Sequence, residues 1–260
     1  MAEGLSGSEE AFADEMNKRA KEIGLTKSHF TNSTGLPEDD HLMSPRDLAV
    51  LARHTINSFP EYYHMYSEKY FTYNGKRQGN RNPMLYHEKD KTTVVDGLKT
   101  GHTDASGYGL TASAVRDGRR LILVLNGMKS IKERDQESMK MFDWAFAEYK
   151  NYELFKAGEV LANADVWLGD GATVPLKIEK RVLLTLPRKA RKDLKVTVNY
   201  MNPMPAPIAE GAKVGEITIS APDITTIKVP LLAGTSVQEL GPMGRISEAI
   251  KYVLWGKSSG

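Results

Sequence analysis

"VVDGLKTGHTDASGYGLTASAVRDGRRLILVLNG", residues Val94–Gly127, decides how the chain is read. It holds three strand-like pieces: "DGLKTGHT", "GYGLTASAV" and "RRLILVLNG", the last running on to Met128. Asp117-Gly118 between the second and third is a strong hairpin signal, because both residues tolerate a positive φ. The first piece centres on Lys99-Thr100-Gly101. A lysine there supplies a fixed positive charge and the threonine a hydrogen bond, a pair suited to a carboxylate. Gly101 has no side chain, so a peptide can lie against the strand and pair with its backbone. A tripeptide also recurs by chance. Taken alone, a solvated lysine before a turn is the commoner reading.

Working outward, the first segment reads as a helix. Ser6 and Glu9 fit a capping box, Phe12, Met16, Ala20 and Ile23 follow at helical spacing, and Gly24 is the stop. "HFTNSTGLPEDDHLMS" is a turn region, and its Asn32-Ser33-Thr34 matches a glycosylation acceptor, though a polar turn is the simpler reading. A second helix begins with Ser44 as N-cap, Pro45 at the first helical position and Asp47 closing the box. It buries Leu48, Leu51, Ala52 and Ile56 and ends near Pro60. "KYFTYNG" alternates and ends at a turn. After the three strands, "SIKERDQESMKMFDWAFAEY" is amphipathic, with Met139, Phe142 and Phe146 on one face. Helices, then an antiparallel sheet, then a helix predict an α+β domain with helices packed on the sheet.

The pattern then changes. From about Ala157 to Ala233 no helix signal stands out. "EVLANADVWLG", "TVPLKIEK", "RVLLTLP", "LKVTVNYM", "AKVGEITIS" and "TIKVPLLA" are β-rich pieces divided by Gly, Pro and Asp. Short strands at this spacing predict a small all-β sandwich. A boundary is expected near Asn151–Gly158. The resulting division is 1–150, 151–235 and an amphipathic tail, 236–260, carrying Ile246, Ile250, Val253, Leu254 and Trp255.

Composition excludes several classes. The 260 residues are 40% apolar, enough for a real core, and the net charge of +2, with no basic tract standing out, gives no push towards nucleic acid. With no cysteine there is no disulfide framework, thiolate metal site or cysteine nucleophile. The histidines at 29, 41, 54, 64 and 87 show no metal spacing, and there is no glycine-rich phosphate loop, so neither a metal nor a cofactor is implied. No apolar run reaches the ~18 residues of a membrane span. "MAEGLSGSEEAFADEM" is acidic and lacks the apolar centre of a signal peptide.

A Lys-Thr-Gly element belongs, with S-x-x-K and Ser-x-Asn, to the penicillin-recognising serine enzymes. The Val94–Gly127 block resembles the corresponding block of the low-molecular-weight penicillin-binding proteins, the D-alanyl-D-alanine carboxypeptidases. "GSEEAFADEMNKRAKEIGL", "HFTNSTGLP" and "MSPRDLAVLAR" do so too, in the same order. "VWLGDGATVPL" onwards resembles their β-rich second domain and "GRISEAIKYVLWG" the start of their C-terminal anchor. The second domain sets the resemblance apart from β-lactamases.

The resemblance implies a partial penicillin-binding/β-lactamase-like domain and a hydrolase that cleaves peptidoglycan stem peptides through an acyl-enzyme. It implies that Lys99, Thr100, Gly101 and His102 line the cleft, with Thr100 towards the substrate carboxylate, and that Arg134 helps hold that region. His102 reads more readily as a hydrogen-bonded strand residue than as an acid or base, and Arg134 equally as a solvated helix charge. Peptidoglycan pentapeptide and β-lactams are the implied ligands, and the tail implies a membrane surface. For the full-length parent the implied location is the periplasm, peripheral on the inner membrane. No serine here has a lysine three residues on, and no Ser-x-Asn occurs, so the chain holds no catalytic nucleophile. The resemblance places both elements before Met1 and so implies an N-terminally truncated chain, inactive alone. The other reading is a non-catalytic protein that binds or scaffolds peptidoglycan peptides on the same fold.

Overall fold

The computed structural model describes residues 1–87, 92–222 and 224–255 and divides into two compact units, Met1–Ala147 and Glu148–Gly260.

In the first unit α1 (Ala2–Ser6) ends at Gly7, whose φ of 83° breaks the helix. Ser8 then takes an extended conformation and caps α2 (Glu9–Glu22), its Oγ accepting the Ala11 N–H at 3.1 Å. The expected cap, Ser6, is instead the last residue of α1. Helix α3 (Pro45–Ser58) starts as anticipated, with Ser44 Oγ accepting the Asp47 N–H at 3.1 Å and Pro45 in the first turn. The box is not closed by Asp47, however. Its carboxylate accepts from the Lys27 N–H and the Ser28 hydroxyl, both at 2.7 Å, and so ties the preceding loop to the helix. The short α4 (Pro60–Tyr63) follows. Strands β1 (Tyr70–Tyr73) and β2 (Lys76–Gly79) then form a hairpin over Asn74-Gly75, both at positive φ.

The main sheet of this unit is antiparallel, in the order β3 (Thr93–Thr103), β4 (Gly107–Arg116), β5 (Arg119–Met128). Asp117 and Gly118, at φ 51° and 71°, make the β4–β5 turn. Alternation along β5 shows where the helices sit. Leu121 and Leu123 join Leu110, Ala112 and Ala114 against Phe142 and Phe146 of α5 (Ile131–Glu148). Ile122, between them, joins Ala52 of α3 with Tyr63 and Leu98. Helices therefore cover both faces of the sheet, and β3 and β5 are its edges.

In the second unit the strands are β6 (Tyr149–Phe155), β7 (Val160–Trp167), β8 (Thr173–Lys177), β9 (Val182–Pro187), β10 (Lys195–Tyr200), β11 (Met204–Pro205), β12 (Lys213–Ala221) and β13 (Ile224–Ala233). Six form one sheet, β10-β12-β13-β8-β7-β11, and β6 pairs with β9 in another. Among the described residues all of these pairings are antiparallel except β11 with β7. Val174, Leu176, Ile217, Ile219, Leu231 and Ala233 form the centre of its core. Strand β6 follows α5 with no turn signal and had no sequence signature. Helix α6 (Pro242–Trp255) leaves Met243, Ile246 and Ile250 exposed. Side chains at the other expected tail positions, Val253, Leu254 and Trp255, and all of 256–260 lie outside the described residues. Among the described residues no helix is long and apolar enough to cross a membrane.

Candidate functional site

Strand β3 carries Lys99, Thr100, Gly101 and His102 along a sheet edge, so one side of its backbone has no strand partner among the described residues. Lys99 is exposed, and its ammonium donates to the Thr100 carbonyl at 2.5 Å, with no carboxylate partner among the described residues. At Gly101 a Cβ would meet nothing within 4 Å, so the surface beside the strand is open. The lysine charge thus stands next to a bare stretch of edge backbone.

The root of this strand is held by a polar cluster. Asp96 pairs with Arg120 of β5 in a two-point ion pair, at 2.7 and 2.8 Å. It also accepts from the Tyr63 hydroxyl at 3.2 Å. The same guanidinium donates to buried Ser113 of β4, so one cluster spans all three strands. Burial pushes the Tyr63 phenol up to about 12, which keeps it a neutral donor to Asp96. Buried Asn82 donates to the Gly97 carbonyl at 2.8 Å. Gly97 is required here, because a Cβ would lie 2.5 Å from the Tyr63 hydroxyl oxygen.

At its other end His102 lies opposite Tyr108 of β4, ring centroids 3.9 Å apart. Behind Tyr108 lies Arg134 of α5, only 4% exposed, its guanidinium 5.8 Å from the Tyr108 ring centre. Arg134 is therefore no solvated helix charge. It donates to the Arg81 carbonyl at 3.4 Å, its Nε has no hydrogen-bond partner among the described residues, and burial lowers its pKa. Lys99 through His102 are brought together on one strand, and Arg134 joins them through Tyr108. Among the described residues no three His, Asp or Glu side chains converge as a metal site. Asp96, Arg120, Tyr63, Asn82 and Tyr108 were not anticipated. The only local signals were Asp96 beside Gly97 and the glycines flanking Tyr108.

Residues 1–130 match the D-alanyl-D-alanine carboxypeptidase family, and residues 149–239 match the C-terminal domain of penicillin-binding protein 5. The chain is 37% identical over 255 residues to the D-alanyl-D-alanine carboxypeptidase DacA of Escherichia coli K12, covering 98% of this chain and 62% of the relative. It is 31% identical to DacF of Bacillus subtilis, covering 93% of this chain and 62% of that one. The structure of penicillin-binding protein 5 from Haemophilus influenzae superposes with a TM-score of 0.78 at 34% identity, over 92% of this chain and 69% of that one. The chain thus spans about six tenths of the length of the curated relatives it matches. Both halves point the same way: the chain belongs to the D-alanyl-D-alanine carboxypeptidase family of low-molecular-weight penicillin-binding proteins.

Proposed function

We propose that the chain supplies the peptide-binding edge of a serine-type D-Ala-D-Ala carboxypeptidase acting on peptidoglycan stem peptides, with β-lactams as competing ligands. The observation that carries this is the Lys-Thr-Gly run on the open edge of β3, beside the empty surface at Gly101. The terminal D-alanine carboxylate is held by the Lys99 ammonium and the Thr100 hydroxyl. The peptide backbone extends along β3 as an added strand, and a strand N–H helps hold the oxyanion that forms when the penultimate carbonyl is attacked. Arg134, behind Tyr108, adds positive potential to that side of the site. The attacking serine and its lysine are not among these 260 residues, so the chain binds peptide but does not acylate. The second reading is a non-catalytic peptidoglycan-peptide binder on the same fold, separated from the first by whether the full-length protein acylates. The exposed Met243, Ile246 and Ile250 of α6 support contact with a membrane surface, in keeping with a periplasmic, peripheral location.

The test is binding of a peptide ending in D-Ala-D-Ala to this chain, followed by titration calorimetry, alongside labelling with a fluorescent penicillin. An ammonium on a carboxylate is worth about 1.5–3 kcal/mol, so Lys99→Ala is expected to weaken binding about 10–100-fold. The melting curve should not move, because the side chain is exposed. A penicillin adduct that survives denaturation would refute the claim that the chain cannot acylate. Equal affinity in Lys99→Ala would return Lys99 to a solvated charge before a turn.

A further inference from the structure

The two edges of the six-stranded sheet are built differently. At one edge β11 is two residues long, contains Pro205 and is flanked by Pro203 and Pro207. A short strand carrying proline offers few free N–H groups, which is how edges are normally blunted. At the other edge β10 runs six residues, Lys195–Tyr200, with no proline. Its pairing with β12 is regular from Lys195↔Ser220 to Tyr200↔Gly215, with no bulge. Its outer side has no strand partner among the described residues. Val196 and Val198 are 41% and 37% exposed and, two apart, form a short apolar row on one face of the strand.

The approach to β10 is strongly basic. "RKARKDLK", Arg188–Lys195, packs five cations around the single acid Asp193, and all six side chains are exposed. The near-neutral balance of the whole chain conceals this local run, which corrects the expectation that no basic tract stands out. Among the described residues none of the five is ion-paired. Arg191 is held by stacking 4.7 Å from the Tyr152 ring centre, which leaves its charge uncompensated.

We propose that β10 is an acceptor edge for an extended acidic segment of a partner protein. The segment adds as a strand, its alternate apolar residues cover Val196 and Val198, and its carboxylates lie against the Arg188–Lys195 turn. Charge selects the occupant. A second copy pairing edge to edge would bring another such basic turn onto the same sheet, whereas an acidic strand neutralises this one. A purely electrostatic ligand would use the turn but neither the backbone edge nor the valines.

The probe is the labelled peptide Glu-Asp-Val-Thr-Val-Thr-Val-Thr, compared with the same peptide starting Lys-Lys, against the 260-residue chain. The acidic peptide is expected to bind at least about tenfold more tightly by fluorescence anisotropy. It should also slow amide exchange across Lys195–Tyr200. Lys189→Glu with Lys192→Glu changes only exposed turn residues and should abolish the preference. Val198→Lys, which places a charge in the apolar row, should remove the exchange protection. Equal binding of the two peptides, or unprotected β10 amides, overturns the proposal. So does a concentration-dependent dimer lost in Val198→Lys, which assigns the edge to a second copy. Binding to phosphatidylglycerol vesicles that needs the lysines but ignores Val198→Lys assigns the turn to a lipid surface and overturns it equally.

Discussion

The two units solve the problem of an interior in opposite ways. Among the described residues the buried polar side chains, Asp47, Asn82, Ser113, Arg134 and Ser138, all lie in the first unit. Among its described residues the second unit buries only apolar side chains, including Val174, Leu176, Ile217 and Leu231, each fully enclosed. A buried polar group is costly unless partnered, and its partners fix geometry as apolar contacts do not. Polar burial is therefore expected where a strand must be held in one place. It occurs at the root of β3, where Asn82, Ser113 and the Asp96–Arg120 pair surround the stretch that leads into Lys99. The second unit needs only to hold its sheet together, and a dry core does that.

The largest expected effect breaks the dry core. Ile217 is fully buried between β10 and β13, so Ile217→Ala removes methyl groups with no room for solvent to replace them. Such truncations cost about 2–5 kcal/mol. Amide exchange should accelerate across β12 and β13. Val196→Ala, on the exposed edge strand, should change little. Similar effects from both substitutions would mean that the unit is loosely packed.

A somewhat smaller effect should come from the polar root. Gly97→Ala places a methyl group 2.5 Å from the Tyr63 hydroxyl oxygen, so the strand or the ring must shift. Overpacking of this kind costs about 1–3 kcal/mol. Tyr63→Phe alone loses the 3.2 Å hydrogen bond to Asp96, worth about 1 kcal/mol. Combined with Gly97→Ala it removes the clashing oxygen, so the double variant should be more stable than the sum of the two losses predicts. Strict additivity in a thermal or denaturant melt would show that the clash is relieved elsewhere.

How far the sequence could be read follows the same division. Turn chemistry is local, so Asp117-Gly118 and Ser44-Pro45 were legible. The apolar stripe of Phe142 and Phe146 and the β-rich second unit were legible for the same reason, since periodicity needs no knowledge of partners. The Ser8 cap was missed because Gly7 ends one helix just before another begins. The polar partners were out of reach. Asp47 meets Ser28 nineteen positions away, Arg120 meets Asp96 across two strands, and Arg134 reaches Arg81 over fifty-three positions. Lys99, Thr100, Gly101 and His102 could be singled out because they are contiguous. What holds them is assembled by register, and no spacing rule expresses it.

The smallest effect concerns pH and separates the units without a large perturbation. The Ser28 hydroxyl, followed by the backbone amides of the same loop, holds the Asp47 carboxyl below its ordinary value of 3.8. A group with a depressed folded-state pKa binds its proton more readily in the unfolded chain. Its contribution is therefore complete above the ordinary carboxylate range and is lost as the pH falls through the folded pKa, below 3.8. The bonds affected are those to Lys27 and Ser28 at the foot of α3, so acid should loosen that loop. Glu216 in the second unit is also lowered, by Lys228, but its ion-pair partner is exposed, and screening there leaves little at stake. Amide exchange at Lys27 should thus accelerate between pH 5 and about pH 3 more than exchange at Ile217, after correction for intrinsic rates. Asp47→Asn has no charge to lose. It should exchange faster at Lys27 at pH 7 and show a flatter response to acid, while Ile217 responds as in the parent chain. A parallel response of Lys27 and Ile217 to acid in the parent would mean that the polar interior of the first unit does not set its acid sensitivity.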